Sequence, residues 1–554
     1  KIARLVAEAD GMPIDPRVIE YTDYHDKLIE QWGDADDASA GYHWVFFDAA
    51  LGIYFHTGDW QAFLKNRGYV KTLSRYVEMV GPSGAVPQFA SCSGWHEVGA
   101  SMWAYELASK LTRDGRFRWT SHRIAEYYYN HLDHNANQYH LPYDTARRNF
   151  SKAFLLADDS VTPKPPPSKS RLTWRHPLVK IPLEERKARP GLARNWMIPF
   201  EWIPDKIVLS SGNDARSLWG LVELLPKAGH GGELPGNIIT LMQHDSALLI
   251  GQGYYENTPD FQNIMWVEDL EGLAADPRRV TTTVPLWADD PAVSFARVET
   301  PAYQPLPVLY TRNIAFVKDA FMVVKDHVKF ESTMKARLGP CWQTRSLGPE
   351  CGDHWFNAYY NQLYYTGLGL GRGVQAIRNP AWDVLIYFTP RRGRKHTVLD
   401  RYMENFYRCS PVQLRQVWSG MAEAGRTVSF TSVLLPHRPM LKPSQLLTPP
   451  EDSDKPKRIE TVRDDDDATV LKVVVALDTR GRRHQETWVM LNETGQPLED
   501  GPLRSDARLA VIKLDDNGAV RERIMVGGRM LWFRGKDETA KARRHKAAPL
   551  KKPK

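Results

Sequence analysis

The chain has 554 residues, 42% apolar, 25% charged and 11% aromatic, with a net charge of +7. Such a length exceeds one hydrophobic core and predicts two to four folded domains, while the lack of any run of about 18 apolar residues argues against a membrane span. The charge names no nucleic-acid partner, because Gly535–Lys554 holds eight Lys/Arg against Asp537 and Glu538 and leaves the body near neutral.

In chain order, residues 1–134 read as helices. PRVIEYTDYHDKLIEQWG, GYHWVFFDAALGIYFHTG, DWQAFLKNRGYVKTLSRYVEMV and HEVGASMWAYELASKLTRDG place apolar residues three and four apart, and SHRIAEYYYNHLDH reads as a fifth helix. Gly33, Gly58, Gly81 and Gly115 fall where helix stops are expected. The pattern dissolves over 135–201, read as a connector that includes the proline-rich TPKPPPSKS at Thr162–Ser170.

From 202 to 450 the period becomes two. DKIVLSS, LWGLVELL, NIITLMQ, SALLIGQ, NIMWVED, VSFARVE, NIAFVKD, AFMVVKDHV, WDVLIYFTP and RTVSFTSVLL are strand-like runs separated by Gly, Pro, Asp and Asn. They predict an antiparallel β-sandwich. A smaller β domain follows over 451–535, and the basic end, 536–554, reads as disordered. Asp464–Asp467 reads as an exposed turn, since it lacks the alternating ligands of a calcium loop. GLGLGRG, Gly367–Gly373, reads as a hairpin turn, with no following helix to make a dinucleotide loop. Cys92, Cys341, Cys351 and Cys409 form no CxxC pair, which argues against a thiolate zinc site. Cys341 and Cys351 are close enough for a hairpin disulfide, with free thiols equally open.

Three stretches carry a family resemblance. Asp205–Tyr255 contains AGHGGELPGN and GQGYY, Tyr310–Val328 reads YTRNIAFVKDAFMVVKDHV, and DASAGYHWVFFDAAL with SGAVPQFASCSGW lies upstream. Together they resemble the heparinase II/III-like polysaccharide lyases, in which a GHGH motif precedes a strand ending in DPGTY. The resemblance implies an α+β multidomain chain: an N-terminal α/α toroid, here short of helices, then an antiparallel β-sandwich and a small C-terminal β-sheet domain. It further implies a secreted or periplasmic enzyme that cleaves a uronic-acid-containing polysaccharide, such as a sulfated glycosaminoglycan, by β-elimination.

That chemistry sets its own requirements. The C5 proton of a uronic acid is weakly acidic while its carboxylate is charged, so the site must neutralise that charge. A base must reach C5 and an acid must protonate the departing O4, and tyrosine can do both. By the resemblance, Tyr42 of SAGYH is the proton-transferring residue and His230 the charge stabiliser or partner acid/base. Tyr255, with Tyr254 as its substitute, contacts the sugar. Adjacent helical residues diverge by about 100°, so His43 is the weaker neighbour of Tyr42. Trp95, His96 and Arg312 are further cleft candidates.

The departures from the pattern are equally specific. Gly232 stands at the second histidine of GHGH, Gly251 at the aspartate of DPGTY and Gln262 at the histidine of the following strand. All three metal-ligand positions have lost their donor, so no metal and no other cofactor is expected; Glu233, His244 and Glu256 are scattered substitutes. The carboxylate-neutralising Asn or His, expected one or two helices before Tyr42, has no counterpart, since His25, Asn135 and Asn137 do not match by position. The chain opens at Lys1 in mid-pattern, so two readings stay open: an upstream segment carries that residue, or the site is assembled differently. Two alternatives stay open: a toroid-type glycoside hydrolase using a pair among Asp34, Asp36, Asp37 and Glu97, or a non-catalytic glycan-binding relative that lost the site.

Overall fold

The computed structural model describes residues 2–20, 22–23, 58, 60, 67–84, 102–130, 143–175, 178–180, 197–199, 203–224, 234–244, 246–250, 262–272, 282–304, 306–344, 350–358, 382–400, 412–438, 442–449, 457–476 and 484–546. Five helices come first: α1 (Ile2–Ala9), α2 (Arg67–Met79), α3 (Met102–Thr112), α4 (Gly115–Asn130) and α5 (Tyr143–Leu156). The spacing of Leu73, Tyr76, Val77 and Val80 puts one face of α2 into a core shared with Met102, Trp103 and Leu107 of α3 and Phe117 and Ile124 of α4. Gly115, expected as a stop, instead opens α4, because the Asp114 carboxylate accepts the Arg116 backbone N–H at 2.9 Å and caps the helix.

The segment read as a connector carries regular structure in three places: α5, the strand Arg171–Arg175 of the first sheet, and an antiparallel pair of Leu178–Lys180 with Met197–Pro199. The apolar residues of α5 make no single stripe, which leaves it without a helical period: Phe150 and Ala153 pack inward while Phe154 and Leu155 are exposed. Between α5 and that strand the proline-rich stretch runs along the helical layer, where Lys164 N–H donates to Gly115 O at 2.9 Å.

The first sheet is an antiparallel meander of β1 (Arg171–Arg175), β2 (Ile203–Ser210), β3 (Trp219–Glu223), β4 (Ile238–Gln243) and β5 (Ser246–Ile250). Alternation gives it two apolar faces. Val208, Trp219, Leu221, Ile239 and Met242 face the helices. Ile207, Leu209, Val222 and Leu241 face the next sheet.

That next sheet has eight strands. In chain order the strands after β5 are β6 (Met265–Asp269), β7 (Thr283–Asp289), β8 (Val293–Thr300), β9 (Val308–Val317), β10 (Phe321–Phe330), β11 (Met334–Thr344), β12 (Glu350–Cys351), β13 (Trp355–Ala358), β14 (Asp383–Phe388), β15 (Lys395–Asp400), β16 (Val412–Ala422) and β17 (Thr427–His437). The eight-stranded order is β12-β13-β14-β17-β10-β9-β8-β7, and β15-β16-β11-β6 form a separate four-stranded sheet. Ile314, Phe316, Met322 and Val324 point to the first sheet, and Tyr310, Val328 and Phe430 to the four-stranded one. Ala315, Val317, Phe321 and Val323 point the other way, onto Leu471, Val489, Val511 and Ile524 of a six-stranded C-terminal sheet. The chain is thus a stack of antiparallel sheets with a helical layer on one side. Cys341, buried, and Cys351, exposed, do not form the hairpin disulfide.

The basic end departs from its expected disorder. Arg543–His545 is the sixth strand of the C-terminal sheet, parallel to Val520–Val526. The buried Asp290 carboxylate accepts from Arg543 Nε and Nη2 at 2.7 and 2.8 Å and lies 2.9 Å from His545 Nε2, which ties the basic residues down. The exposed turn read over Asp464–Asp467 holds only for Asp465–Asp467: Asp464 ends the strand Ile459–Asp464, and its carboxylate accepts from Thr431 and Thr469 at 2.7 and 2.6 Å.

Two buried groups between these layers make stability fall in acid. Burial, and next the nearby Arg458, push His437 down to about 3. Burial opposes ionisation of Glu493, but His327, Arg297 and Lys325 outweigh it and hold that carboxyl at about 2. The unfolded state therefore binds more protons than the folded one below about pH 6.5 through His437, and below about pH 4.5 through Glu493 as well. Each group removes up to about 1.4 kcal/mol per pH unit inside its window. Urea midpoints are expected to fall steadily from pH 6.5 to 4.5, with a shallower slope in His437→Gln. A flat midpoint across that range would contradict the assignment.

Candidate functional site

The site expected from the sequence is approached through the strand ends that bear its loops. Register pairs Lys206 with Glu223, Val222 with Ile238 and Thr240 with Ile250. The end of β3, the start of β4 and the end of β5 therefore lie together at one end of the first sheet. Residues 225–233, which include His230, connect β3 to β4, and residues 251–261, which include Tyr254 and Tyr255, follow β5. Both stretches start and finish at this end. Tyr42, His43, Trp95, His96, His230, Tyr254 and Tyr255 lie outside the described residues, as do Gly232, Gly251, Glu233, Glu256, His25, Asn135, Asn137 and the acidic group Asp34, Asp36, Asp37 and Glu97.

The β3 side is held by a buried charge cluster that reaches the helical layer. Glu223 Oε1 accepts from Lys206 Nζ at 3.0 Å, and Lys206 Nζ also donates to Asp205 Oδ1 at 2.9 Å. The other oxygen of Asp205 accepts from Arg75 Nη1 of α2 at 2.7 Å, with both side chains buried. Burial alone would raise the Asp205 pKa, but Lys206, Arg75 and Arg175 override it and hold the carboxyl well below the usual range. Asp205 thus stays ionised and ties α2 to the start of β2, next to the strand that leads into the His230 stretch.

The β4 side is held by a second network. Gly236 N–H donates to Glu223 O and Glu223 N–H to Asn237 O, both at 2.8 Å. Asn237 Oδ1 accepts from Asn263 N–H at 2.9 Å, and Asn263 Nδ2 donates back to Ile238 O at 2.8 Å. Arg312 Nη1 then donates to both Gly236 O and Asn263 O, at 2.6 and 2.9 Å. Its Nε and Nη2 form a bidentate pair with Asp326 at 2.7 and 2.9 Å, and Tyr310 donates its hydroxyl to the same carboxylate at 2.8 Å.

Arg312 is therefore not a cleft residue. It is 0% exposed, lies over the Tyr310 and Trp342 rings, and spends its donors on a carboxylate and two loop carbonyls. What it does is fasten Gly236 and Asn263, which follow the two candidate stretches, to the eight-stranded sheet. Burial raises the phenol pKa of Tyr310 well above its ordinary value, so this tyrosine is a fixed donor and no base. An acid whose same-face neighbours two positions away are apolar is the signal for this network: Asp326 between Val324 and Val328, and Asp205 between Ile203 and Ile207.

The zinc of the resembled family does not fit this residue set. The Gln262 amide oxygen accepts the Leu234 N–H at 3.2 Å, and a carboxamide already used this way is a poor zinc ligand beside Cys, His or carboxylate. The two companion positions are glycines. His244 cannot take their place: it sits in the β4–β5 turn at the far end of the sheet, with φ of 48° and its ring stacked on Trp382. Among the described residues, no three His, Cys, Asp or Glu side chains cluster in a way that could hold a metal.

Gly236 gives a local test of the second network. Its φ is +84°, and a Cβ there would stand 3.1 Å from Tyr310 Cε1. Gly393 has a φ of +77° and open space around it, so Gly393→Ala reads the backbone cost alone. Gly236→Ala is expected to lose about 1–3 kcal/mol by chemical unfolding, and more than Gly393→Ala. Equal losses would show that Tyr310 yields freely.

No family model matches the sequence, and no curated protein matches it. Among solved structures the chain is similar to the heparan sulfate lyase HepC from Pedobacter heparinus, with 12% identity, a TM-score of 0.47, and coverage of 83% of this chain and 60% of that one. It is also similar to a Paenibacillus xanthan lyase at 10% identity and a TM-score of 0.36, over 76% of this chain and 37% of that one. A galactose mutarotase-like protein from Clostridium acetobutylicum matches at 8% identity and a TM-score of 0.25, over 42% of this chain and 95% of that one. The chain thus spans 60% of the length of the HepC lyase. No described helix is long and apolar enough to cross a membrane.

Proposed function

We propose that the protein is a secreted or periplasmic polysaccharide lyase that cleaves a uronic-acid-containing glycan by β-elimination. The observation that carries this reading is the convergence of two loop stems. The stretches bearing His230 and Tyr254/Tyr255 leave the same end of one sheet, and a buried Arg75–Asp205 pair joins that end to the helical layer. The sequence resemblance assigns the proton-transferring tyrosine, Tyr42, to that helical part.

In this reading Tyr42 takes the C5 proton or delivers one to the O4 leaving group, and His230 stabilises the charge that builds on the uronate as C5 is deprotonated. Tyr255, or Tyr254 in its place, contacts the sugar. No step is assigned to a metal. The reaction breaks the C4–O4 bond and leaves a C4=C5 double bond conjugated to the carboxylate, so the product absorbs in the ultraviolet where the substrate does not.

Incubation with a panel of sulfated and unsulfated uronate polysaccharides is expected to give rising ultraviolet absorbance with at least one member. New reducing ends without absorbance would replace the lyase by a hydrolase. Saturable binding with neither signal would make the protein a non-catalytic glycan binder.

A further inference from the structure

The opposite end of the first sheet bounds a cavity of about 440 Å³. It lies where the β2–β3 and β4–β5 turns, the β9–β10 turn, the start of β14 and the end of β17 meet the C-terminal sheet. The length of β4 sets it about 17 Å from the stems of the His230 stretch, at 3.4 Å per residue.

One wall holds Arg458, 3% exposed, whose Nε and Nη1 have no hydrogen-bond partner among the described residues. No carboxylate forms an ion pair with it there, and burial alone pushes its pKa down to about 10. A guanidinium out of water needs a partner anion or a hydrogen-bonded network. Neighbouring Lys318 is already taken by Asp289 at 2.8 Å. The acids facing the cavity are also engaged: Asp319 accepts the Leu218 N–H at 3.4 Å, and Asp214 accepts the Arg216 N–H at 2.8 Å. His437, kept neutral by burial and Arg458, adds no competing charge.

The rest of the lining is shaped for more than a bare ion. The Trp382 indole stacks on the His244 ring at 4.1 Å and 8°, with the Arg438 guanidinium 5.9 Å from the indole centre. A flat aromatic surface beside cationic groups suits a ring that carries an oxyanion.

We propose that this cavity is an oxyanion site separate from the lyase site, in which the carboxylate or sulfate of an acidic sugar pairs with Arg458 while its ring lies near Trp382. The inference does not rest on the lyase reading, because it concerns binding at a different place.

Titration calorimetry on the full chain tests it with glucuronate, inorganic sulfate and glucose. Glucuronate is expected to bind at least tenfold more tightly than glucose, and Arg458→Met is expected to abolish that preference. Arg458→Met also removes an uncompensated buried charge, so it should stay folded by circular dichroism. Trp382→Ala is expected to weaken glucuronate severalfold and leave sulfate unchanged, which covers the case of an Arg458→Met chain that misfolds. Sulfate binding as tightly as glucuronate would overturn the acidic sugar as occupant. Glucuronate binding that is absent, or unchanged in Arg458→Met, would overturn the site. Neither result bears on the ultraviolet assay.

Discussion

Asp326→Ala is expected to destabilise the protein by about 3–5 kcal/mol, the cost of leaving a buried charge without its partner. Arg312 is fully buried, and Asp326 supplies both acceptors for its Nε and Nη2 as well as the acceptor for the Tyr310 hydroxyl. Removing the carboxylate strands a guanidinium and a phenol together. Asp326→Asn keeps hydrogen-bonding atoms but loses the charge, and should fall between parent and Asp326→Ala. The double replacement Arg312→Met with Asp326→Leu should cost less than the two single changes added, because no lone charge remains. Guanidinium unfolding followed by circular dichroism reads all four chains. An Asp326→Ala loss below about 1 kcal/mol would mean that water reaches the pair and the network is not closed.

The second large effect concerns activity. If the chain is a lyase, His230→Ala and Tyr42→Phe should each lower the initial rate of ultraviolet product formation by about 10²–10⁴-fold, the range that a positioned acid, base or charge stabiliser supplies. Circular dichroism on both variants separates loss of the chemical group from loss of the fold. In the proposed reaction, loss of Tyr42 removes the proton-transferring group and loss of His230 removes the charge stabiliser. Activity that survives in both variants would place the chemistry on other residues. Arg312→Met is the useful contrast, because its loss should track stability rather than the chemical step.

Much of the architecture was legible in the order of the residues. Alternation in KIVLS, NIAFV and FMVV predicted strands, and Ile207, Leu209, Ile314 and Phe316 do face one core. The three- and four-residue spacing of Leu73, Tyr76, Val77 and Val80 predicted the buried face of α2. Local pattern failed where a partner distant in the chain decides the outcome. The basic end becomes a strand because Asp290 waits for Arg543 across 253 residues. Helix α5 carries two exposed apolar residues and so shows no clean period.

The sequence by itself determined that helices precede strands, most of the β strands, and the absence of metal-ligating side chains at Gly232, Gly251 and Gln262. Those properties follow from side-chain chemistry and periodicity, which act over a few residues. Only the tertiary structure decided what Arg312 does. An arginine in a strand is read as a surface or cleft group until the fold places Asp326, Gly236 and Asn263 around it, from positions 14, 76 and 49 residues away. The same holds for Arg458, whose lack of a partner among the described residues depends on every group brought near it. Burial and pairing of charge are sums over neighbours that only the folded chain assembles.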